Sequence, residues 1–190
     1  MTSFADKPTI TGERVVLRPM VAGDFGDVWA DLQDPEATRL TGTHDTFDRD
    51  RIAAYCADRC EQPDRLDLAA VDAQTGAWLG EVVINEWDSD NHSCSFRIAL
   101  SAGARNRGLG TEATRLIVGY VFDEIDDPAP VNRLSLEVFD FNERAAAVYE
   151  KVGFIREGVQ REALFWDGVF HDAITMSILR RDRASHQGRC

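Results

Sequence analysis

The chain has 190 residues, 44% apolar and 28% charged, a balance that suits one folded core and excludes collagen-like and low-complexity chains. No apolar run reaches the roughly 18–20 residues of a membrane-spanning helix, and Met1–Pro8 has neither the basic segment nor the apolar core of a secretion signal. Net charge is −12, which repels nucleic acid and anionic lipid and favours a cationic, amine-bearing partner. The expectation is a cytoplasmic protein with no nucleic-acid and no membrane partner. Cys56, Cys60, Cys94 and Cys190 form no CxxC pair and read as reduced thiols. Cys56 and Cys60 stand one helical turn apart and could share a metal. His44, His92, His171 and His186 show no spacing that completes a ligand set, so no metal is expected.

In chain order, Glu13–Pro19 reads as a β-branched strand. Asp24 caps a helix with Phe25, Val28, Trp29 and Leu32 on one face, and Asp34-Pro35 breaks it. Thr46–Arg59 reads as a second helix with Phe47, Ile52, Tyr55 and Cys56 apolar. Leu66–Val71 and Trp78–Trp87 are strands joined by a turn over 72–76. Ser93–Leu100 alternates, with Cys94, Phe96, Ile98 and Leu100 on one face and Ser95, Arg97 and Ala99 on the other. Gly108–Asp123 carries Leu109, Ala113, Leu116, Ile117 and Tyr120 at helical spacing. Leu134–Val138 is a strand with Ser135 and Glu137 on its polar face. Asn142–Val152 is a helix with Asn142 as N-cap and Gly153 just past its end. Phe154–Trp166 and Val169–Leu179 form a hairpin across Asp167-Gly168. A single domain over 1–180 and a disordered tail over 181–190 are expected.

The chemistry concentrates in Phe96–Thr111. A buried strand enters a loop with two arginines and two glycines, and a helix starts at once. Gly108 and Gly110 let backbone amides approach a ligand closely. The helix start adds unpaired N–H groups and a positive dipole end. Ser101–Thr111 holds Arg105 and Arg107 and no acid, which makes a diphosphate cradle in an otherwise acidic chain. No Lys follows Gly110, which excludes a P-loop. Ala113 stands where a dinucleotide fingerprint needs a third glycine, and a meander precedes the loop rather than a βαβ unit. The residues alone leave open a plain Gly-rich turn with two solvated arginines.

Arg105-Asn-Arg-Gly-Leu-Gly110 resembles the pyrophosphate loop of the GNAT superfamily of acetyl-CoA-dependent N-acetyltransferases. Leu136–Phe154, with its strand, Asn142, helix and Tyr149-Glu-Lys-Val-Gly-Phe154, is similar to the same family. Thr11–Pro19 at the start, with Arg156-Glu-Gly158, Arg161, Asp167-Gly168, Asp172 and Met176–Leu179 at the end, resembles its Rim-type branch, which includes ribosomal-protein N-acetyltransferases. The likeness spans about residues 11–180. It implies an α+β fold, a mostly antiparallel sheet of six to seven strands flanked by about four helices. The strands at 93–100 and 132–138 would splay apart at its centre.

The resemblance also implies roles. Acetyl-CoA would be the co-substrate, its pantetheine arm pairing with backbone groups of Ile98, Ala99 and Leu100. Arg105, Asn106, Arg107, Gly108, Leu109, Gly110 and Thr111 would hold the pyrophosphate, and Asn142 would bond the pantetheine. Tyr149 would protonate the leaving thiolate and Glu137 would be the general base. The acceptor would be a primary amine on a protein N-terminus, a lysine-like side chain or a small molecule, and a homodimer is among the implied assemblies. Ala145 stands where relatives often carry Ser, and Leu164 where some ribosomal-protein modifiers carry Glu, with Glu162 nearby. Both departures count against a ribosomal substrate. Trp29, Phe47, Phe165, Trp166 and Phe170 would either shape the acceptor pocket or pack. The alternative reading is a catalytically weak acyl-CoA-binding regulatory module.

Overall fold

The computed structural model describes residues 4–126 and 129–187. Strands β1 (Ile10–Thr11) and β2 (Val15–Pro19) precede three helices, α1 (Phe25–Leu32), α2 (Pro35–Thr41) and α3 (Arg49–Asp58). A meander follows, β3 (Leu66–Asp72), β4 (Trp78–Asp88) and β5 (Ser93–Leu100), and leads into α4 (Leu109–Asp123). Then come β6 (Arg133–Phe139), α5 (Glu143–Val152), the hairpin β7 (Ile155–Trp166) and β8 (Val169–Leu179), and α6 (Arg180–Gln187). The strands form one sheet in the order β1-β2-β3-β4-β5-β6-β8-β7, antiparallel except at β5–β6. No described helix is long and apolar enough to cross a membrane.

The α+β class and the sheet topology agree with the expectation, with one strand and two helices more. The extra strand is the two-residue β1. The first extra helix starts at the expected break. Asp34 becomes an N-cap that accepts from Glu36 N at 3.0 Å, and Pro35 takes the first helical position, where a missing N–H costs nothing. The second, α6, corrects the expectation of a structureless tail from 181. It lacks an apolar stripe but is tied down by polar bonds: Arg180 Nε donates to Val131 O at 2.9 Å, and Arg183 Nε to Asp123 Oδ1 at 3.0 Å. Residues 188–190 lie outside the described residues.

Alternation sorts the strands into two faces. Cys94, Phe96, Leu134, Leu136, Val138, Met176 and Ile178 face the main core, which α4 fills with Leu109, Ala113, Ile117 and Val121. Met20, Val28, Ile52 and Cys56 make a smaller cluster with Trp29, Phe47 and Trp78, under α1 and α3.

β5 and β6 determine where the site lies. They meet in only three rungs, Ser93↔Arg133, Cys94↔Leu134 and Ser95↔Ser135. Beyond them β5 stays paired with β4 as far as Leu100, and β6 with β8 as far as Phe139. Each strand is thus held by its outer neighbour while the inner edges part, and backbone groups on those inner edges lack a partner strand.

Candidate active site

The fork between β5 and β6 opens into a cleft of about 790 Å3. Ile98, Ala99 and Leu100 form one wall, and Glu137, Asn142 and Tyr149 belong to the other. Arg105, Asn106, Gly108, Gly110 and Thr111 close one end. Two residues of the expected set stay out of the cleft. Leu109 is buried in the main core. Arg107 is exposed, with Nη1 donating to Gly103 O at 3.2 Å.

At the loop end, Gly108 caps α4 in the left-handed region, φ 78°. A Cβ there would stand 3.2 Å from Arg14 Nη2, and one on Gly110 would stand 3.0 Å from Leu100 Cδ1 in the cleft wall. The first-turn N–H groups of α4 have no acceptor within the helix and carry its positive dipole end. The acid in that turn is turned away: Glu112 Oε1 accepts from Arg14 N at 2.7 Å and Val15 N at 3.1 Å. Burial raises the Glu112 pKa, but those backbone bonds and Arg14 outweigh it and hold the carboxyl low. Arg105 does not offer a free guanidinium. It is buried, donates to Leu100 O, and pairs with Asp34 and Glu36. The loop therefore presents backbone amides rather than arginine side chains.

On the far wall, Asn142 Oδ1 accepts from Ala145 N at 3.3 Å, the capping bond expected of it. Tyr149 projects from α5, its ring edge-on to Phe96 at 6.0 Å, and its hydroxyl bonds to none of the described residues. Burial pushes the phenol pKa up, so it holds its proton through the neutral range. Glu137 is exposed on β6 opposite Thr175, and its carboxylate accepts from Gln160 Nε2.

Several lining residues carry no local sequence signal. Ala37, Leu40 and Thr41 come from α2, and Asn85, Glu86 and Ser95 from the β4–β5 side. The suspected aromatic positions do not reach the cleft. Trp29 and Phe47 pack on the smaller cluster, the tilted rings of Phe165 and Phe170 lie 4.8 Å apart, and Trp166 meets His44 at 4.8 Å, also tilted. Leu164 is buried, and Glu162 sits in a bulge at φ 54°, its amide bonded to Asp172. Cys56 and Cys94 are buried, with thiols pushed up by burial to about 11 and about 12.

A cleft with an unpaired strand edge along one wall and a helix-start amide cradle at its end suits an extended amide-bearing arm with a diphosphate, the shape of an acyl-CoA. The family model for the acetyltransferase (GNAT) domain matches residues 14–155, and the chain belongs to that family. It is 28% identical over 119 residues to the putative ribosomal N-acetyltransferase YdaF of Bacillus subtilis, covering 61% of this chain and 63% of that protein. The chain thus spans just under two thirds of that relative. Over 105 residues it is 30% identical to spermidine N(1)-acetyltransferase of Escherichia coli, covering 55% and 54%. The structure of spermidine N-acetyltransferase from Vibrio cholerae in complex with CoA and spermine superposes with a TM-score of 0.82 at 20% identity, covering 91% of this chain and 99% of that one. That likeness shows the fold.

Proposed function

We propose that the chain acetylates the primary amine of a cationic acceptor, with Tyr149 as general acid and Glu137 as general base. One observation carries this reading: Glu137 and Tyr149 line the same cleft as the amide cradle at the start of α4. Acetyl-CoA supplies the activated acyl group as a thioester. The amides at 106–111 hold its diphosphate, and the inner edge of β5 at Ile98–Leu100 pairs with its arm. An amine is mostly protonated at neutral pH and must lose a proton before it attacks. Glu137 takes that proton. N–H groups on the freed edge of β5 stabilise negative charge on the carbonyl oxygen. Tyr149 gives its proton to the departing sulfur.

A cationic acceptor suits the net charge of −12 and the carboxylates Glu86 and Glu137, which share the cleft lining with Arg97, Arg105, Arg133, Arg144 and Lys151. Named spermidine acetyltransferases among the relatives support a small polyamine; YdaF's name supports a protein N-terminus. Leu164, a buried apolar residue at the position where the resemblance puts a Glu in some ribosomal-protein modifiers, weighs against the ribosomal substrate. One observation favours the binding-module alternative: the Glu137 carboxylate is exposed and already engaged by Gln160.

Thiol release from acetyl-CoA with polyamines, amino sugars and N-terminal peptides tests the reading. An enzyme releases CoA with at least one of them; a module binds CoA and releases none. Glu137→Gln should shift the acid limb of kcat/KM. KM for the amine should rise with salt, because the Debye length falls from ~10 Å at 0.1 M to ~3 Å at 1 M.

A further inference from the structure

Regular alternation along β4 would send Ile84 to the core, Asn85 to the opposite face and Glu86 back to the core. The pairing with β5 slips between Asn85 and Asp88, and Glu86 takes φ 55°, a left-handed conformation uncommon for a residue with a Cβ. A bulge of this kind inserts one residue and re-aims a side chain. Trp87 takes the core place instead, its ring edge-on to Phe4 at 5.8 Å. Glu86 is turned onto the face that carries Asn85 and Ser95.

There Glu86 Oε2 accepts from Ser95 Oγ at 2.7 Å. Ser95 belongs to the last rung before β5 and β6 part. The carboxylate therefore stands at the base of the fork, and Glu137 is two residues up the other wall from the same rung. Asn85 also lines the cleft, and its Oδ1 is buried with no hydrogen-bond partner. A buried carbonyl oxygen without a donor is costly, and native structures seldom leave one so. The lining holds one other carboxylate, Glu137, and the cations Arg97, Arg105, Arg133, Arg144 and Lys151, of which Arg105 pairs with Asp34 and Glu36 and Arg144 bonds Asn106. Arg133 is held by Glu157 and by Ser177 Oγ at 3.1 Å.

Resting on the reading of the chain as an amine acetyltransferase, we propose that Asn85 and Glu86 form the seat of the acceptor's ammonium group, with Glu86 the specificity-determining residue. An ammonium has three N–H donors and no acceptor. A carboxylate and an unpaired carbonyl oxygen match it, whereas a hydroxyl or amide end would bring lone pairs against them. The two carboxylates then divide the work: Glu86 holds the cation at the base of the fork, and Glu137 removes a proton from the opposite wall. The strain at Glu86 is kept because the bulge is what turns its side chain into the cleft.

The test is calorimetric binding of diaminobutane, spermidine and a lysine-containing peptide amide to the CoA-saturated protein, run beside thiol release from acetyl-CoA. Glu86→Gln keeps the size and removes the charge. It should weaken the bound amine by about tenfold or more, the scale of a lost hydrogen bond to a charged group, and leave CoA affinity unchanged. Glu86→Gly removes the left-handed strain, so it should raise the thermal midpoint while losing the amine as Glu86→Gln does. A merely structural Glu86 would move the midpoint and leave amine affinity alone. Wild-type amine affinity in both variants, or a wild-type protein that binds none of the amines, overturns the proposal. A wild-type protein that binds amine through Glu86 yet releases no thiol upholds the seat and overturns the transfer reading instead.

Discussion

Arg105 Nη2 lies 2.6 Å from Asp34 Oδ2, joining the loop before α4 to the first turn of α2 across 71 positions of sequence. Its Nη1 reaches Glu36 Oε2 at 2.8 Å, and its Nε reaches Leu100 O at 3.0 Å. One buried guanidinium thus ties together the loop before α4, the end of β5 and α2, which also lines the cleft. Burial raises the Asp34 pKa, but the bond from Arg105 and those from Glu36 N and Ala37 N outweigh it and hold the carboxyl below its usual value.

Replacing Arg105 with Leu should destabilise the fold by about 2 kcal/mol. Breaking a fully buried pair costs ~3–5 kcal/mol, and the cost here is smaller because Glu36 is 60% exposed and regains water. Both the CoA Kd and the amine KM should rise, since the loop and α2 lose their common anchor. Arg105→Lys should not restore either, because one ammonium cannot make the forked contact. Denaturant unfolding and CoA calorimetry check this; a variant that loses stability but keeps both constants would confine Arg105 to the scaffold.

The two loop glycines should behave differently. Gly108 needs its left-handed φ of 78°, so Gly108→Val should strain the cradle and weaken CoA by about tenfold or more. Gly110 is limited by space: a Cβ would meet only the tip of Leu100 at 3.0 Å, a flexible side chain. Gly110→Ala should therefore keep most CoA affinity. Calorimetry showing equal affinity for wild type and Gly108→Val would remove the cradle from the binding site.

Local pattern made β5, the caps at Asn142 and Gly153, and the loop before α4 readable. Each follows from alternation or from residues within one turn of the feature they govern. What stayed hidden depends on distant partners. Asp34-Pro35 is a helix stop and an equally good helix start, and Arg105 settles which. α6 has no apolar period to detect; its anchors are Val131 O and Asp123. Glu86 reads as an ordinary strand residue because a bulge exists only in the pairing with β5. Of the two readings of Phe165, Trp166 and Phe170, the ring pairs Phe165–Phe170 and His44–Trp166 favour packing.

Glu81 should make the protein less stable as pH rises. It stands on β4 opposite Ala99, and its Oε2 is buried without a partner. Burial raises its pKa, Asp67 and Asp31 add to the rise, and Arg97 and Arg65 only partly oppose it. The unfolded chain ionises this group near its ordinary value of 4.5, whereas the fold retains the proton to higher pH. Between those values the folded state binds more protons, so its stability declines with pH, on the order of 1 kcal/mol per pH unit at most. Glu81→Gln should flatten that decline and be the more stable protein at alkaline pH, with little difference near pH ~4. Urea unfolding at several pH values decides it; parallel curves for the two proteins would mean Glu81 carries no such linkage.

Tyr149→Phe should separate catalysis from packing. The ring contacts, 6.0 Å to Phe96 and 5.9 Å to Phe154, survive in phenylalanine. The hydroxyl bonds to none of the described residues, so its removal forfeits no internal hydrogen bond. The thermal midpoint should stay the same or rise slightly, and CoA affinity should hold. A general acid typically contributes ~10²–10⁴ in rate, and a departing thiolate needs less help than an alkoxide, so kcat should fall by about 10- to 10³-fold. Because burial holds the phenol pKa well above neutral, wild-type kcat should show no alkaline loss from Tyr149 within the ordinary assay range. A fall in kcat with an unmoved midpoint is the signature of a proton donor that the fold does not need. An unaltered kcat would leave Tyr149 as an aromatic wall of the cleft and return the protonation of the leaving sulfur to solvent.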